Sequence, residues 1–212
     1  MTQFVESWSK TTKAIYNGVL LYSIAGILYS IIAPISKLGD WLSFFVSDFA
    51  SLSIFSNILL VAIIIGYFLF LIGLGGLSKI LTPSDSAAVL RVRNAVLIVL
   101  IAQVFGFIPL MGWVGTILSI ISFFLMIMGY STLKNSTTFP SRARSGASKL
   151  FTAMILSLIG SNLGFIPSVG VLFEIPLDVI AFILTLLGWT AIKNTIPEES
   201  EQNRGQFHKP IP

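Results

Sequence analysis

The phrase "FGFIPLMG" at residues 105–112 returns 58 residues later as "LGFIPSVG" at residues 163–170, each time between two long apolar runs. Proline ends a helix because it lacks an amide hydrogen and restricts the residue before it. Glycine accepts backbone angles that other residues avoid, which suits a tight turn. Both phrases therefore predict the turn of a helical hairpin. The residues assigned to this role are Pro109, Pro167, Gly112 and Gly170.

Small residues also precede each turn, on the last part of the incoming helix. Gly160 and Gly164 are four residues apart, and Ala102 and Gly106 repeat this spacing in the other phrase. In lipid, small residues at this spacing let two helices pack closely. The pattern predicts tight helix packing beside each turn. The alternative interpretation is that the two turns together line a ligand site.

Composition indicates an all-α membrane protein. Of the 212 residues, 55% are hydrophobic and 10% are charged, whereas an ordinary soluble domain has about 25% charged residues. A bilayer core is crossed by helices of about 20 mostly apolar residues. No cleavage site follows the first apolar run, so no signal peptide is expected. Six transmembrane helices are predicted, at 14–35, 54–77, 87–108, 113–133, 150–166 and 173–192.

The distribution of basic residues predicts the orientation. If the N-terminus is cytoplasmic, twelve of the thirteen Lys and Arg lie in cytoplasmic segments, and only Lys37 lies outside. Lys and Arg orient a membrane protein in this way. We therefore expect an inner or plasma membrane protein with both termini in the cytoplasm. All four tryptophans fall near predicted span ends, as is typical of interfacial Trp: Trp8, Trp41, Trp113 and Trp189.

The repeated phrase belongs to a longer internal repeat. Gly73, Gly129 and Gly188 each stand four residues before an apolar Leu or Ile, near the end of a predicted span. Repeats of this length usually correspond to one supersecondary unit. The sequence predicts a single transmembrane domain over residues 1–196, built from three parallel-repeat hairpins. Their bounds are about 14–82, 83–139 and 140–196.

Two segments lie outside the repeat. Residues 38–53 place apolar side chains on one helical face and polar side chains on the other, which predicts an interfacial amphipathic helix on the outer surface. It is expected to be either a connector resting on lipid or a lid or partner-docking element. The polar, Pro-flanked segment 197–212 predicts a disordered cytoplasmic tail.

Four polar side chains within predicted spans form the candidate functional cluster. An intramembrane carboxylate is costly and is usually functional, and Asp178 forms an acidic pair with Glu174 at the start of the sixth span. Gln103 and Asn162 are expected at similar depths, so the cluster is a candidate for binding a cation or relaying a proton. The alternative is that Pro176 starts the last helix, so that Asp178 interacts favourably with its dipole, or that the span begins one turn later and Asp178 merely faces water.

Catalytic and metal-binding functions have little support in the sequence. Cys is absent and the single His, His208, lies in the tail, which argues against thiol chemistry and the usual zinc sites. No phosphate loop or serine elbow is present, so no catalytic residue, metal or cofactor is expected. The basic loop 134–149 is expected to face anionic headgroups rather than nucleic acid.

The motif "GFIPxxG…IG…LK" resembles uncharacterised small multi-pass prokaryotic membrane proteins built of repeated helical hairpins. This resemblance implies a fold and no particular activity. We expect a non-enzymatic scaffold, assembly factor or accessory subunit, with the bilayer and a membrane-protein partner or a second copy as its partners. The alternative is a small oligomeric transporter or channel component. A hydrated cavity between Asp178 and Asn162 would favour that alternative.

Overall fold

The computed structural model describes residues 2–42, 50–106, 108, 110–163 and 170–196. All regular structure in these ranges is helical, in agreement with the predicted all-α class. Residues 43–49, the centre of the predicted interfacial helix, and the tail 197–212 lie outside the described residues. The described flanks of the interfacial segment belong to two long helices. The six helices are α1 (Thr2–Leu42), α2 (Ala50–Ile80), α3 (Pro83–Gly106), α4 (Gly112–Asn135), α5 (Ser141–Leu163) and α6 (Gly170–Lys193).

The exterior of the helix bundle is apolar. Large hydrophobic side chains such as Ile54, Ile72 and Phe124 are each about 60% exposed. Four helices of the described residues are long and apolar enough to cross a membrane: Ile54–Ile80, Pro83–Phe105, Gly112–Asn135 and Pro176–Lys193. Since a soluble protein cannot present such a surface to water, the chain has the character of a multi-pass membrane protein.

Consecutive helices pack in antiparallel pairs, α1 with α2, α3 with α4 and α5 with α6. One glycine in each pair stands where the two backbones approach most closely. A Cβ added at Gly73 would lie 2.5 Å from Ile15, and one at Gly129 would lie 2.5 Å from Val92. At Gly188 it would lie 2.7 Å from Leu150. No larger side chain fits these positions without a backbone shift.

The first two pairs have a second close contact between their helices. On the second helix of each pair, it lies seven residues before the glycine just named. In the first pair, Gly66 lies against Gly18, whose carbonyl would be 2.9 Å from an added Cβ. In the second pair, the Ser122 hydroxyl donates to the carbonyl of Ala95 at 2.8 Å. Small residues at seven-residue spacing therefore hold the helices together, whereas the sequence pattern predicted a four-residue spacing beside the turns.

Further contacts join the pairs into a closed bundle, α2 to α3, α4 to α5 and α6 to α1. Lys134 of α4 lies over the ring of Phe151 in α5, with its Nζ 3.6 Å from the centroid. Lys193 of α6 lies over Tyr16 of α1 at 3.8 Å. Each is a cation–π contact, which is worth about 0.5–2 kcal/mol depending on desolvation. Both contacts lie near the end of the bundle that carries Lys79, Lys134, Arg142 and Lys193, here called the basic end.

Two tryptophans lie in the core rather than at an interface, so the prediction was wrong for Trp8 and Trp189. Trp8 is 1% exposed, packs on Phe139 at 5.9 Å and donates through Nε1 to the Ile192 carbonyl. Trp189 packs edge-on against Phe70. Both are buried because α1 begins at Thr2, so its first turns extend the core past the predicted span. Trp113 is two-thirds exposed, in agreement with an interfacial position.

The turn between α3 and α4 differs in detail from its prediction. Helix α3 ends at Gly106, two residues before the predicted end, because Ile108 precedes a proline and disfavours helical angles. The Met111 amide donates to the Ile108 carbonyl at 3.1 Å. Among the described residues the one positive φ belongs to Leu110, at 67°. Gly112 is instead the first residue of α4 with no atom within 4 Å of an added Cβ, so its predicted role was wrong.

Candidate functional site

Among the described residues, an open cavity of about 860 Å³ lies in the side of the bundle. It lies between α1, α2, α3 and α6, in the half of the bundle away from the basic end. Gln103 and Asp178, two of the four residues predicted as a polar cluster, both line it. Its other polar lining comes mainly from tyrosines. We call it the polar cavity, and its lining residues are Tyr22, Ser23, Gly26, Ile27, Tyr29, Leu60, Ile63, Tyr67, Gln103, Asp178, Val179 and Phe182.

The position of Asp178 differs from the alternative considered for it. Helix α6 begins at Gly170 and continues through Pro176, so Asp178 lies in its third turn. The helix dipole acts mainly within the first turn, and it does not account for this carboxylate. Fifteen residues separate Asp178 from Lys193 at the basic end, about 22 Å along the helix axis. The apolar span of α6 runs from Pro176 to Lys193, so Asp178 lies near the end of that span away from the basic end, and its side chain is exposed.

A stacked pair of tyrosines forms the floor of the polar cavity. The rings of Tyr22 and Tyr67 are 4.6 Å apart and inclined by 3°. Gln103 of α3 lines the same cavity as Tyr22 and Tyr67, so α3 contributes a polar side chain beside the first helix pair.

A smaller cavity of about 130 Å³ lies beyond the two tyrosines, at the centre of the bundle. Tyr22 and Tyr67 line both cavities, so their rings separate the two spaces. The central cavity also has Tyr130, Trp189 and Thr185 in its lining. It combines hydroxyl groups with apolar walls and is large enough to hold several water molecules.

The basic end of the bundle is closed beneath the central cavity. One turn beyond Tyr130 and Trp189, three aliphatic side chains from different helix pairs are almost fully buried: Leu77, Leu133 and Ile192. The indole of Trp8 covers Ile192. Packed apolar side chains therefore close the bundle at its basic end.

Asp85 is a buried carboxylate that the sequence reasoning missed. It is 0% exposed, and its Oδ2 accepts hydrogen bonds from Thr138 at 2.7 Å and from Thr82 at 3.1 Å. These bonds tie the α4–α5 loop to the start of α3. The pattern Thr-x-x-acid before an apolar run, here "TPSD" at residues 82–85, is a helix-capping signal that could have revealed it. Its Oδ1 has no hydrogen-bond partner.

The other predicted site residues are only partly described. Asn162 lies in α5 and Glu174 in α6, but both side chains lie outside the described part of the chain. Gly160 is buried in α5, Gly106 ends α3 and Gly170 begins α6. Pro109, Gly164 and Pro167 also lie outside it. Within the described residues, no group of His, Cys, Asp and Glu could hold a metal ion.

The geometry is that of a multi-pass helical membrane protein with an open cavity lined by aromatic, apolar and a few polar side chains. Comparisons with family models, with curated proteins and with solved structures gave no significant match to this chain.

Proposed function

We propose that this chain binds a small solute in the polar cavity and acts as a small transporter or channel component, rather than as an enzyme. The single observation that carries the proposal is that Asp178 and Gln103 line the same cavity of about 860 Å³. Ligand cavities typically enclose about 300–1,000 Å³ and combine apolar walls with a few convergent polar groups. The polar cavity has this size and this composition.

We propose that the bundle arose from three hairpins arranged around a pseudo-threefold axis. Corresponding positions are buried in all three pairs, which supports this arrangement. In the first helix of each pair they are Thr12, Val89 and Ala147; Ile15, Val92 and Leu150; and Gly18, Ala95 and Ala153. In the second helix they are Gly66, Ser122 and Ala181; Gly73, Gly129 and Gly188; and Leu77, Leu133 and Ile192.

The contacts between hairpins support the same axis. Lys134 and Lys193 occupy corresponding positions, and so do their partners Phe151 and Tyr16. The third junction has Arg93 in the place of the aromatic ring. A Cβ added at Gly75 of α2 would lie 3.7 Å from the Arg93 Nε. At each of the three junctions, a cationic side chain of one hairpin therefore lies beside the neighbouring hairpin. The central cavity lies on the proposed axis.

In the proposed orientation, all six helices cross the membrane and both termini are cytoplasmic. The basic end then faces the cytoplasm, as the positive-inside rule requires. The polar cavity opens to the outside, and the layer of Leu77, Leu133 and Ile192 closes the path inward. This arrangement corresponds to the outward-open state of an alternating-access protein.

The scaffold function expected from the sequence has less support. Its main candidate element was the interfacial segment 38–53, whose centre lies outside the described residues. An accessory role and a homo-oligomer are compatible with the apolar exterior, but lipid accounts for that exterior equally well.

The proposal is tested by the reactivity of single cysteines. The chain contains no Cys, so a substitution introduces one reactive thiol. Phe182→Cys lies in the polar cavity, whereas Ile72→Cys lies on the exterior at 66% exposure. A membrane-impermeant cationic methanethiosulfonate added outside should modify Phe182→Cys and not Ile72→Cys, because the first faces water and the second faces lipid. An unreactive Phe182→Cys would overturn the proposal.

A further inference from the structure

We infer that the solute of the polar cavity is a hydrophobic organic cation carrying a single positive charge. This inference rests on the proposed function and concerns the chemical class of its ligand. Three properties of the described lining residues support it: their charge, their aromatic content and the volume they enclose.

Charge is the first property. Asp178 is the sole charged side chain among the described residues that line the polar cavity. No Lys, Arg or His is among them. The Asp178 side chain is exposed, so its negative charge attracts a positive ligand that enters the cavity. An anionic ligand would be repelled, and a neutral ligand would leave the carboxylate uncompensated.

Aromatic content is the second property. Tyr22, Tyr29, Tyr67 and Phe182 supply four rings to the lining. The face of an aromatic ring attracts a cation, most strongly where water is excluded. The same bundle already uses this interaction at Lys134 and Lys193. A small metal ion would instead need several oxygen ligands at short distance, and the described residues form no such group.

The volume and the apolar walls are the third property. Ile27, Leu60, Ile63 and Val179 supply apolar walls to the lining, and these side chains offer no hydrogen bonds to a polar ligand. A cavity of about 860 Å³ is far larger than an inorganic ion requires. An organic cation with apolar substituents would satisfy the carboxylate, the rings and the walls together.

Tetraphenylphosphonium is a suitable probe because its single charge is surrounded by apolar rings. Equilibrium dialysis of the radiolabelled compound against the detergent-purified full chain should detect binding. Asp178→Asn should weaken it by about tenfold, the effect of losing one charge–charge attraction near the protein surface. Asp178→Glu should retain most of the affinity. Glu6→Gln, which removes an exposed carboxylate near the basic end, should bind as the unmodified chain does.

Tetraphenylborate has nearly the same size and shape with the opposite charge, and it is measured separately. The inference is overturned if the phosphonium does not bind, if the borate binds equally well, or if Asp178→Asn leaves phosphonium binding unchanged. A second measurement keeps Asp178 intact, so it does not depend on folding of the Asn variant. Tetraphenylphosphonium should slow the modification of Phe182→Cys several-fold, and an unchanged rate contradicts the inference.

The two proposals can fail separately. If Phe182→Cys reacts with the cationic reagent but the phosphonium neither binds nor protects it, the cavity is hydrated and only the ligand class is wrong. If Phe182→Cys does not react, both proposals fall together.

Discussion

The stacked rings of Tyr22 and Tyr67, 4.6 Å apart and nearly parallel, separate the polar cavity from the central cavity. Each ring belongs to a different helix of the first pair. The pair is therefore the point at which a solute or water would have to pass to reach the centre of the bundle.

Removing one ring of this pair should open the central cavity. Thr185→Cys places a thiol in that cavity, and we expect it to react slowly with the external cationic methanethiosulfonate. Adding Tyr67→Ala should raise the rate several-fold, because the barrier is the ring itself. Tyr29→Ala removes a ring that lines only the polar cavity and should leave the rate unchanged. Equal rates in all three variants would contradict a barrier at the tyrosine pair.

The glycine at the centre of the second helix pair should not tolerate a side chain. Gly129→Ala brings a Cβ to 2.5 Å from Val92 and 2.9 Å from the Ala88 carbonyl. Overpacking of this kind costs about 1–3 kcal/mol, measurable by unfolding in mixed detergent micelles. Gly112→Ala is the matched control, since no atom lies within 4 Å of its added Cβ. If the two variants are equally stable, α3 and α4 do not approach each other as closely at Gly129 as described.

The carboxylate of Asp85 should stabilise the junction between α3 and the α4–α5 loop. Asp85→Ala removes the acceptor of the Thr82 and Thr138 hydroxyls and should cost about 1–3 kcal/mol of unfolding free energy. Asp85→Asn keeps a side-chain oxygen as acceptor and should cost less. The same unfolding assay measures both variants. A full loss in Asp85→Asn, equal to that in Asp85→Ala, would assign the effect to the charge instead of the hydrogen bonds.

Residue 110 should prefer glycine to its present leucine. Leu110 has φ 67° and is 95% exposed, and the left-handed region costs a residue with a Cβ about 1 kcal/mol. Leu110→Gly should therefore raise the unfolding free energy by about that amount. Met111 has φ −104°, so Met111→Gly should give no such gain. A destabilised Leu110→Gly would show that the leucine side chain matters more than the turn.

The proposed orientation predicts opposite accessibility for two exposed positions. In intact cells, an impermeant sulfonated maleimide should label Met111→Cys in the α3–α4 turn. It should label Ser141→Cys, at the start of α5, only after the membrane is permeabilised. Labelling of Ser141→Cys in intact cells would reverse the orientation and place the polar cavity on the cytoplasmic side.

Much of the fold could be predicted from the composition and from the positions of proline and glycine. Apolar runs require helices in a bilayer, and proline restricts the residue before it. The break between α3 and α4 therefore follows from residues 105–112, and the predicted spans match helices of the structure in order. The extent of α1 could not be predicted, because residues 2–13 are too polar to read as a span. The structure explains why α1 begins this early, because Trp8 packs against Phe139 and donates a hydrogen bond to the Ile192 carbonyl.

The candidate site was predicted in part. Asp178 and Gln103 stand out because polar groups in apolar runs are costly, and tertiary packing brings them into one cavity. The tyrosines of that cavity, Tyr22 and Tyr67, were not predicted, since an aromatic residue in a membrane span has no distinctive pattern of its own. Asp85 was missed because a short capping signal does not say whether the carboxylate becomes buried.

The sequence by itself determined the all-helical class, the apolar helices and the break between α3 and α4, because these depend on local chemistry and on the solvent. The tertiary structure alone decided which faces meet. It placed small residues of paired helices at seven-residue intervals, put the positive φ at Leu110 and left a cavity around Asp178. These features depend on the fit between helices distant in the sequence, and that fit is a property of their packed surfaces.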